Sequence, residues 1–431
     1  MEKFFHLRQH DTTVRKEILA GLTSFLTMAY ILAVNPGMLG SIGNGMTPGA
    51  VFTATALASA IATLCMAFSS NLPVALAPGM GLNAFFTFTV VLGMGYSWQL
   101  ALTAVFLEGV LFMILSLFNG RKAIVKAIPP NLRKAVAVGI GLFITLIGFT
   151  NAGIVVNSGG TIIGLGNIAD PHPLLAFVGL IIVIVLYSLK IPGSVLIGIL
   201  TTTIISIIFG VTKIPQGWSP FSAPHAPLFF QFEWHNIFTF KFFTILFTFL
   251  FVDVFDTVGT LVGVTTHAGL IDREGNIPRI KQALLSDAFG AAIGAVFGTS
   301  TVTSYVESSA GVAAGGRTGL TALSTGVLFL LALILSPIFL LVPGFATAPA
   351  LIFVGFLMMA PVVEIDFKDP TEGIPAFMAI VMMPFAYSIA EGIVYGVISY
   401  VILKVAAHKF SEIPVITWVL FVVFIFRFFL R

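Results

Sequence analysis

The sequence predicts an all-α polytopic membrane protein of about 14 transmembrane segments, arranged as two inverted repeats of seven. Three observations carry this. Of the 431 residues, 58% are hydrophobic and 9% charged, with a mean hydropathy of +1.05. No soluble core could bury that much apolar surface and leave so little charge for an exterior. Apolar windows of roughly 15–22 residues recur from Ile18 to Phe429, leaving no room for a soluble domain. The third observation is a stretch that occupies the place of a span without looking like one. Residues 298–319, G-T-S-T-V-T-S-Y-V-E-S-S-A-G-V-A-A-G-G-R-T-G, open on β-branched and hydroxyl residues, carry Glu307 and then turn to Ala and Gly. Irregular backbone and an ionisable residue at membrane depth belong where protein or a water-filled cavity satisfies them. A Ser/Ala/Gly packing seam would not need the carboxylate.

The N-terminus, M-E-K-F-F-H-L-R-Q-H-D-T-T-V-R-K-E, lacks the order of a signal peptide, so the first apolar stretch, from Ile18 to Val34, is expected as a retained span. Spans are expected at 17–34, 50–68, 74–92, 98–118, 133–150, 173–189 and 193–210. A polar, Pro-rich connection follows, and then spans at 238–258, 283–297, 299–314, 318–341, 346–361, 373–389 and 391–405. The first repeat is thus 1–211, an extracytoplasmic connection 212–237, and the second repeat 238–406. The apolar segment 413–429, within a C-terminal piece 407–431, falls outside the repeat. Arg427 and Arg431 at its end suit either an extra span or a helix at the inner surface.

Charge fits this order. Arg121, Lys122, Lys126, Arg133, Lys134, Lys190, Arg273, Arg279, Lys281, Arg317, Lys368, Lys404 and Lys409 all fall inside if the N-terminus is cytoplasmic. The outer connections are nearly bare, Lys213 being the main exception. The net charge of +3 therefore reports topology, not nucleic-acid binding. Cys65 is the only cysteine, which excludes a disulfide framework and a thiolate metal site.

A repeat is legible directly. Residues 175–200 and 375–400 both carry A-F early, Y-S at the same offset and Gly near the end. V-A-L-A-P-G-M-G-L-N-A, residues 74–84, holds the ordinal place in the first half that 298–319 holds in the second. An odd number of spans per half turns the halves opposite ways. Matched interruptions in inverted halves point to a transporter site at the midplane.

Within the interruption, an extended piece at 299–305 is expected to feed a half-helix starting near Val306. That puts Glu307 at a helix N-terminus, where backbone N–H groups gather around a polar ligand. A carboxylate can accept two in-plane N–H donors, as a neutral heterocycle with ring and exocyclic N–H groups offers. Thr303, Ser304 and Ser308 lie beside it, and Asn83 supplies an amide in the first half, for ligand or for bracing. Thr27 and Tyr30 put hydroxyls on the first span. Asp253 and Asp256, three apart in F-V-D-V-F-D-T-V-G-T, are expected on one helix face with Thr257, Gly259 and Thr260. Two carboxylates in apolar surroundings can carry at least one proton near neutrality, and the two need not share a role: one can bind while the other holds the helix in place. Glu108 is expected to brace helices, Asp287 to cap the start of the ninth span, and His267 to lie in a loop.

The motifs L-T-M-A-Y-I-L-A-V-N-P, A-L-A-P-G-M-G-L-N-A-F-F, F-V-D-V-F-D-T-V-G-T, S-D-A-F-G-A and T-S-Y-V-E-S-S-A-G-V-A-A-G-G-R-T-G-L together resemble the nucleobase–cation symporters. More narrowly, they resemble the bacterial and fungal purine-base permeases for adenine, guanine and hypoxanthine, nearly end to end. The resemblance implies the uracil-permease fold, with a core (17–118 and 238–341), a gate (133–210 and 346–405) and short strands in spans three and ten. It further implies a purine base bound between core and gate in a multi-pass bacterial plasma-membrane protein, proton symport without a cofactor or metal, and often a homodimer. By motif, Asp256 matches the acidic residue of span eight and Glu307 the base-binding carboxylate of span ten. Thr260 stands where uracil-type members have a histidine. The substrate-binding set is then Glu307, Asp256, Thr260, Ser308, Ser304, Asn83 and Thr27, with Asp256, Asp253 and Asp287 for the proton. Phe353 and Phe356 are gate candidates. Anion carriers share that fold, but their site wants a basic residue where both candidates here are acidic. An intramembrane enzyme is disfavoured because no H-E-x-x-H, Ser/His pairing or acidic metal cage is present.

Overall fold

A computed structural model describes residues 2–117, 129–158, 162–271 and 277–429. Phe118, Arg121, Lys122, Lys126, Arg273 and Arg431 lie outside the described residues. The first span is two helices, α1 (Val14–Met28) and α2 (Ile31–Gly40). Thr13 caps α1 by accepting from the Lys16 N–H. The unbroken helix expected over 17–34 is interrupted at Ala29–Tyr30, where the Leu32 and Ala33 N–H groups donate three residues back, to Ala29 O and Tyr30 O. Pro36, inside α2, has no N–H to return to Leu32 O, so the second piece lacks a ladder bond of its own.

After α3 (Pro48–Ser69), the third span opens as strand β1 (Leu76–Pro78). It continues as the short helix α4 (Met80–Ala84) and a π-helical run, Phe85–Gly93. Then come α5 (Trp98–Leu117), α6 (Pro130–Asn151), α7 (Pro171–Ser188), α8 (Ser194–Ile208), α9 (Phe240–His267) and α10 (Ile280–Phe297). Helix α9 runs nine residues beyond the expected 238–258, through the small-residue stripe that follows Asp256. The tenth element is strand β2 (Val302–Ser304) and helix α11 (Ser308–Ala313). Helix α12 (Gly319–Ala332) gives way to a 3-10 turn and a last short helix, Ser336–Leu340, because Pro337 cannot extend the ladder. The chain closes with α13 (Gly344–Met358), α14 (Pro370–Phe385), α15 (Ile389–Ala406) and α16 (Val415–Phe429).

Among the described residues, ten helices are long and apolar enough to cross a membrane, counting α1 and α2 as one. The interrupted third element, α8 and α16 are apolar but shorter. The helices pack in two groups. One joins α1, α3, α5, α9, α10, α11 and α12 around the strands; the other joins α6, α7, α8, α13, α14 and α15. Glycines let backbones meet inside each group. A Cβ on Gly109 would lie 2.6 Å from Ala292 N across α5–α10, and one on Gly139 2.6 Å from Met383 Sδ across α6–α14. Between the groups the contacts are sparser: α2 on α13, α1 on α8, α4 on α6 and α9 on α15.

The centre is an antiparallel ladder of β1 and β2, pairing Leu76 with Ser304, Ala77 with Thr303 and Pro78 with Val302. Gly79 N–H to Thr301 O and Tyr305 N–H to Ala75 O, each 3.0 Å, extend it. Extended backbone is thus satisfied inside the protein, between helices. Near the end of α15, buried Lys404 pairs with Glu372 at 2.7 Å and Glu412 at 2.5 Å. The Lys409 ammonium, 2.7 Å from Asp369, and the Thr371 N–H and hydroxyl hold the Asp369 carboxyl well below the usual range. Helix α16 packs on α15 and buries Leu420 and Phe424, leaving Val415, Val419 and Val422 exposed.

Candidate functional site

Strand β2 ends at Ser304, and the chain turns through Tyr305 and Val306 before α11 starts at Ser308, which leaves half-buried Glu307 at its N-cap. The expected cluster of free amides is absent there. The N–H groups of Ser308, Ser309 and Ala310 donate to Tyr305 O, Val306 O and Glu307 O. What this end offers is the carboxylate, steadied from the first span. The Tyr30 hydroxyl donates to Glu307 Oε1 at 2.6 Å. The Thr27 hydroxyl reaches Glu307 O at 3.4 Å and donates more closely to Ser24 O, 2.8 Å. Gly311 lets α11 lie against α1, since a Cβ there would sit 2.0 Å from Ser24 Oγ and 2.7 Å from Ala20 O.

Helix α9 presents the second carboxylate. Asp256 is exposed, and Gly259 and Gly263, three and seven residues on, have nothing within 4 Å of a built Cβ. Together they make an open face at membrane depth. A Cβ on Gly79 would lie 2.8 Å from Thr303 Cγ2 and 4.0 Å from Asp256 Oδ2, so the start of α4 reaches this face only as glycine. Asp287 and Glu307 both act electrostatically on Asp256. Both carboxylates act electrostatically on Tyr305, whose hydroxyl donates to Pro78 O at 2.6 Å.

Asp253 does not share this face. It is fully buried, whereas Asp256 is exposed. Residues three apart differ by about 60° around a helix, which here sets Asp253 inward and Asp256 outward. Asp287 lies two turns inside α10 and caps nothing. Fully buried, it accepts from Ser304 N–H at 2.7 Å, the Ser304 hydroxyl at 2.6 Å and the Thr257 hydroxyl at 2.6 Å. Ser304 is therefore engaged with Asp287. Ser308 accepts the Ala75 N–H at 3.0 Å. Asn83 is buried, donating to Pro78 O at 3.4 Å and accepting from the Ser300 hydroxyl. These three hold the strands together. Thr260 is buried one turn beyond Asp256, and His267 is the exposed last residue of α9. Phe353 packs its ring on Tyr187 and Phe356, within the second helix group, and Phe356 is 62% exposed. Across the groups, the Arg133 guanidinium of α6 lies over the Phe255 ring of α9, 5.6 Å from its centroid.

Tyr30 and Tyr305 carry more of this geometry than their sequence context announces. The available signal for Tyr30 was its place in M-A-Y, at the break before N-P-G. No group of three or more metal-ligating side chains occurs among the described residues.

The profile of the Permease family matches residues 15–395. The chain is 48% identical over 437 residues to the guanine/hypoxanthine permease PbuG of Bacillus subtilis, covering 99% of each chain. It is 42% identical over 429 residues to the adenine permease AdeP of Escherichia coli, covering 99% of this chain and 95% of that one. In structure it is similar to the transmembrane domain of a cyanobacterial bicarbonate transporter, BicA. The TM-score is 0.66 at 16% identity, over 89% of this chain and 97% of that one. That likeness concerns the fold alone.

Proposed function

Since the chain belongs to the Permease family, a family of transporters and not of enzymes, we propose that it is a proton-coupled symporter importing purine nucleobases across the bacterial plasma membrane. Its cargo is adenine, guanine or hypoxanthine, the bases named for relatives that match along nearly their whole length. The observation that carries the reading is the presence of two accessible carboxylates, Glu307 and Asp256, on elements that pack against each other beside the strand ladder. Glu307 is oriented by Tyr30, and Asp256 stands on an open face of α9.

In this reading Glu307 accepts two N–H donors from one edge of the base. Asp256 exchanges the coupled proton. Thr27 and Thr260 lie along the site, while Ser304, Ser308 and Asn83 fix the strands behind it. Of Asp253, Asp256 and Asp287, Asp256 is the one that meets the opening, so it is given the exchange. A proton arriving with the base lowers the cost of desolvating two carboxylates together, which links the two uptakes. The first helix group acts as a core (17–118 and 238–341) that moves against a gate (133–210 and 346–405). Five long helices with the interrupted third element and α8 make seven spans in the first half, and five long helices with β2–α11 and α14 make seven in the second, as an inverted repeat requires. The antiparallel pairing of β1 with β2 supports that relation. A cytoplasmic N-terminus and a homodimer complete the proposal.

The test is uptake of labelled adenine, guanine, hypoxanthine and uracil into transport-deficient cells, with and without a protonophore, for wild type and Glu307→Gln. Purine uptake that collapses with the protonophore and is lost in the variant, at normal membrane levels, is expected. Gradient-insensitive uptake would remove symport, and full activity of the variant would remove Glu307 from the site.

A further inference from the structure

Behind the open face of α9 lies a second pair of acids that the transport reading does not use. Glu108 of α5 and Asp253 of α9 are both fully buried, on helices that pack together, and each acts on the other. Thr301 lies beside Glu108 and Thr303 beside Asp253. Even so, none of the four carboxylate oxygens receives a well-directed hydrogen bond from a donor, and buried Thr301 Oγ1 is likewise without one. The remaining ionisable group that acts on both is Asp287, itself acidic.

Counting hydrogens shows how little the threonines can supply: the uncommitted hydroxyl of Thr301 can turn to Glu108, but no equivalent is left for Asp253. Asp287 accepts three donors and is complete as a carboxylate. One of those donors is Thr257, whose only hydroxyl hydrogen is thereby committed. Thr257 and Thr303 are 2.9 Å apart, so the hydrogen between them must come from Thr303. Thr303 then has none left for Asp253. Two neighbouring carboxylates, buried, without a cation and with at most the Thr301 hydroxyl as donor, would carry a large uncompensated desolvation cost. A hydrogen between two carboxyl groups must be brought by one of them.

We propose that Glu108 and Asp253 hold one proton between them, one acid donating to the other's carboxylate. This proton stays with the protein while Asp256 exchanges its own. Glu108 and Asp253 are then positioning residues: they tie α5 to α9 and fix the rotation of α9 that turns Asp256 to the opening. The assignment rests on burial and hydrogen accounting and holds whatever the cargo.

The test is infrared spectroscopy of the purified full-length protein in lipid at neutral pH. Wild type and Asp256→Asn are expected to show the C=O stretch of a protonated carboxyl. Glu108→Gln and Asp253→Asn are each expected to lose it, because the amide then supplies the hydrogen to the remaining carboxylate. Either variant suffices if the other does not fold. In parallel, Glu108→Gln is expected to keep uptake within about twofold of wild type, with an unchanged pH profile, whereas Glu108→Ala melts at lower temperature in detergent. No protonated-carboxyl band in wild type, or a band that survives both amide variants, overturns the proposal. So does a Glu108→Gln pH profile that is displaced, because the proton would then be exchanged. None of these outcomes depends on which base is carried, so a failure here is separable from a failure of the purine reading.

Discussion

Tyr30 and Glu307 meet through one short hydrogen bond between elements 277 residues apart in sequence. A bond to a charged acceptor contributes about 1.5–3 kcal/mol. Tyr30→Phe is therefore predicted to weaken base binding by roughly tenfold or more, with the protein still reaching the membrane. An unchanged apparent affinity in a concentration series of uptake would show that the phenol does not steady the carboxylate. Thr257 joins Asp287 and Thr303 in the buried network. Thr257→Val leaves both short of a hydrogen-bond partner and should cost about 1–3 kcal/mol, read as an earlier thermal transition in detergent. A transition at the wild-type temperature would mean that the network is dispensable for stability.

The interrupted elements depend on close backbone approach. Gly311→Val puts a branched side chain where even a Cβ would meet Ser24 Oγ at 2.0 Å and the Ala20 carbonyl at 2.7 Å. The carbonyl belongs to a helix and cannot rotate away, so overpacking of about 1–3 kcal/mol or more is expected. Loss of folded protein in fluorescence-detected size-exclusion chromatography is the outcome sought; a well-behaved peak with normal uptake would refute it. This part of the fold was readable early. T-S-T-V-T-S-Y is β-branched and hydroxyl-rich, and the strand observed at Val302–Ser304 lies within the predicted 299–305. The break at Ala29–Tyr30 was not readable, because M-A-Y-I-L-A-V carries no glycine or proline until Pro36.

At the scale of the molecule, two helix groups touch through few elements, and Arg133 over Phe255 is one of the contacts that cross. If the groups move against each other during transport, this contact breaks once per cycle. A cation–π interaction contributes about 0.5–2 kcal/mol, so Arg133→Ala is predicted to shift the conformational balance by up to roughly thirtyfold. The change should appear in the maximal uptake rate more than in the apparent affinity. An effect confined to affinity, or none, would argue that the contact does not gate.

The sequence by itself determined that the chain lives in a membrane, that its third and tenth spans are interrupted, and that Glu307 stands in one of those interruptions. These are properties of local composition, and lipid leaves few ways to bury backbone and charge. Only the tertiary structure decided how the acids divide. Asp253 and Asp256 look alike along the chain, three residues apart on one helix. They part because one side of α9 is covered by α5 and the other is not, leaving Asp253 buried beside Glu108 and Asp256 on the open face. Asp287 reads as a cap and becomes the acceptor that locks Ser304 and Thr257, because β2 is folded against its helix. Which side of a helix meets protein and which meets a cleft is set by partners hundreds of residues away, and spacing along a single helix cannot encode it.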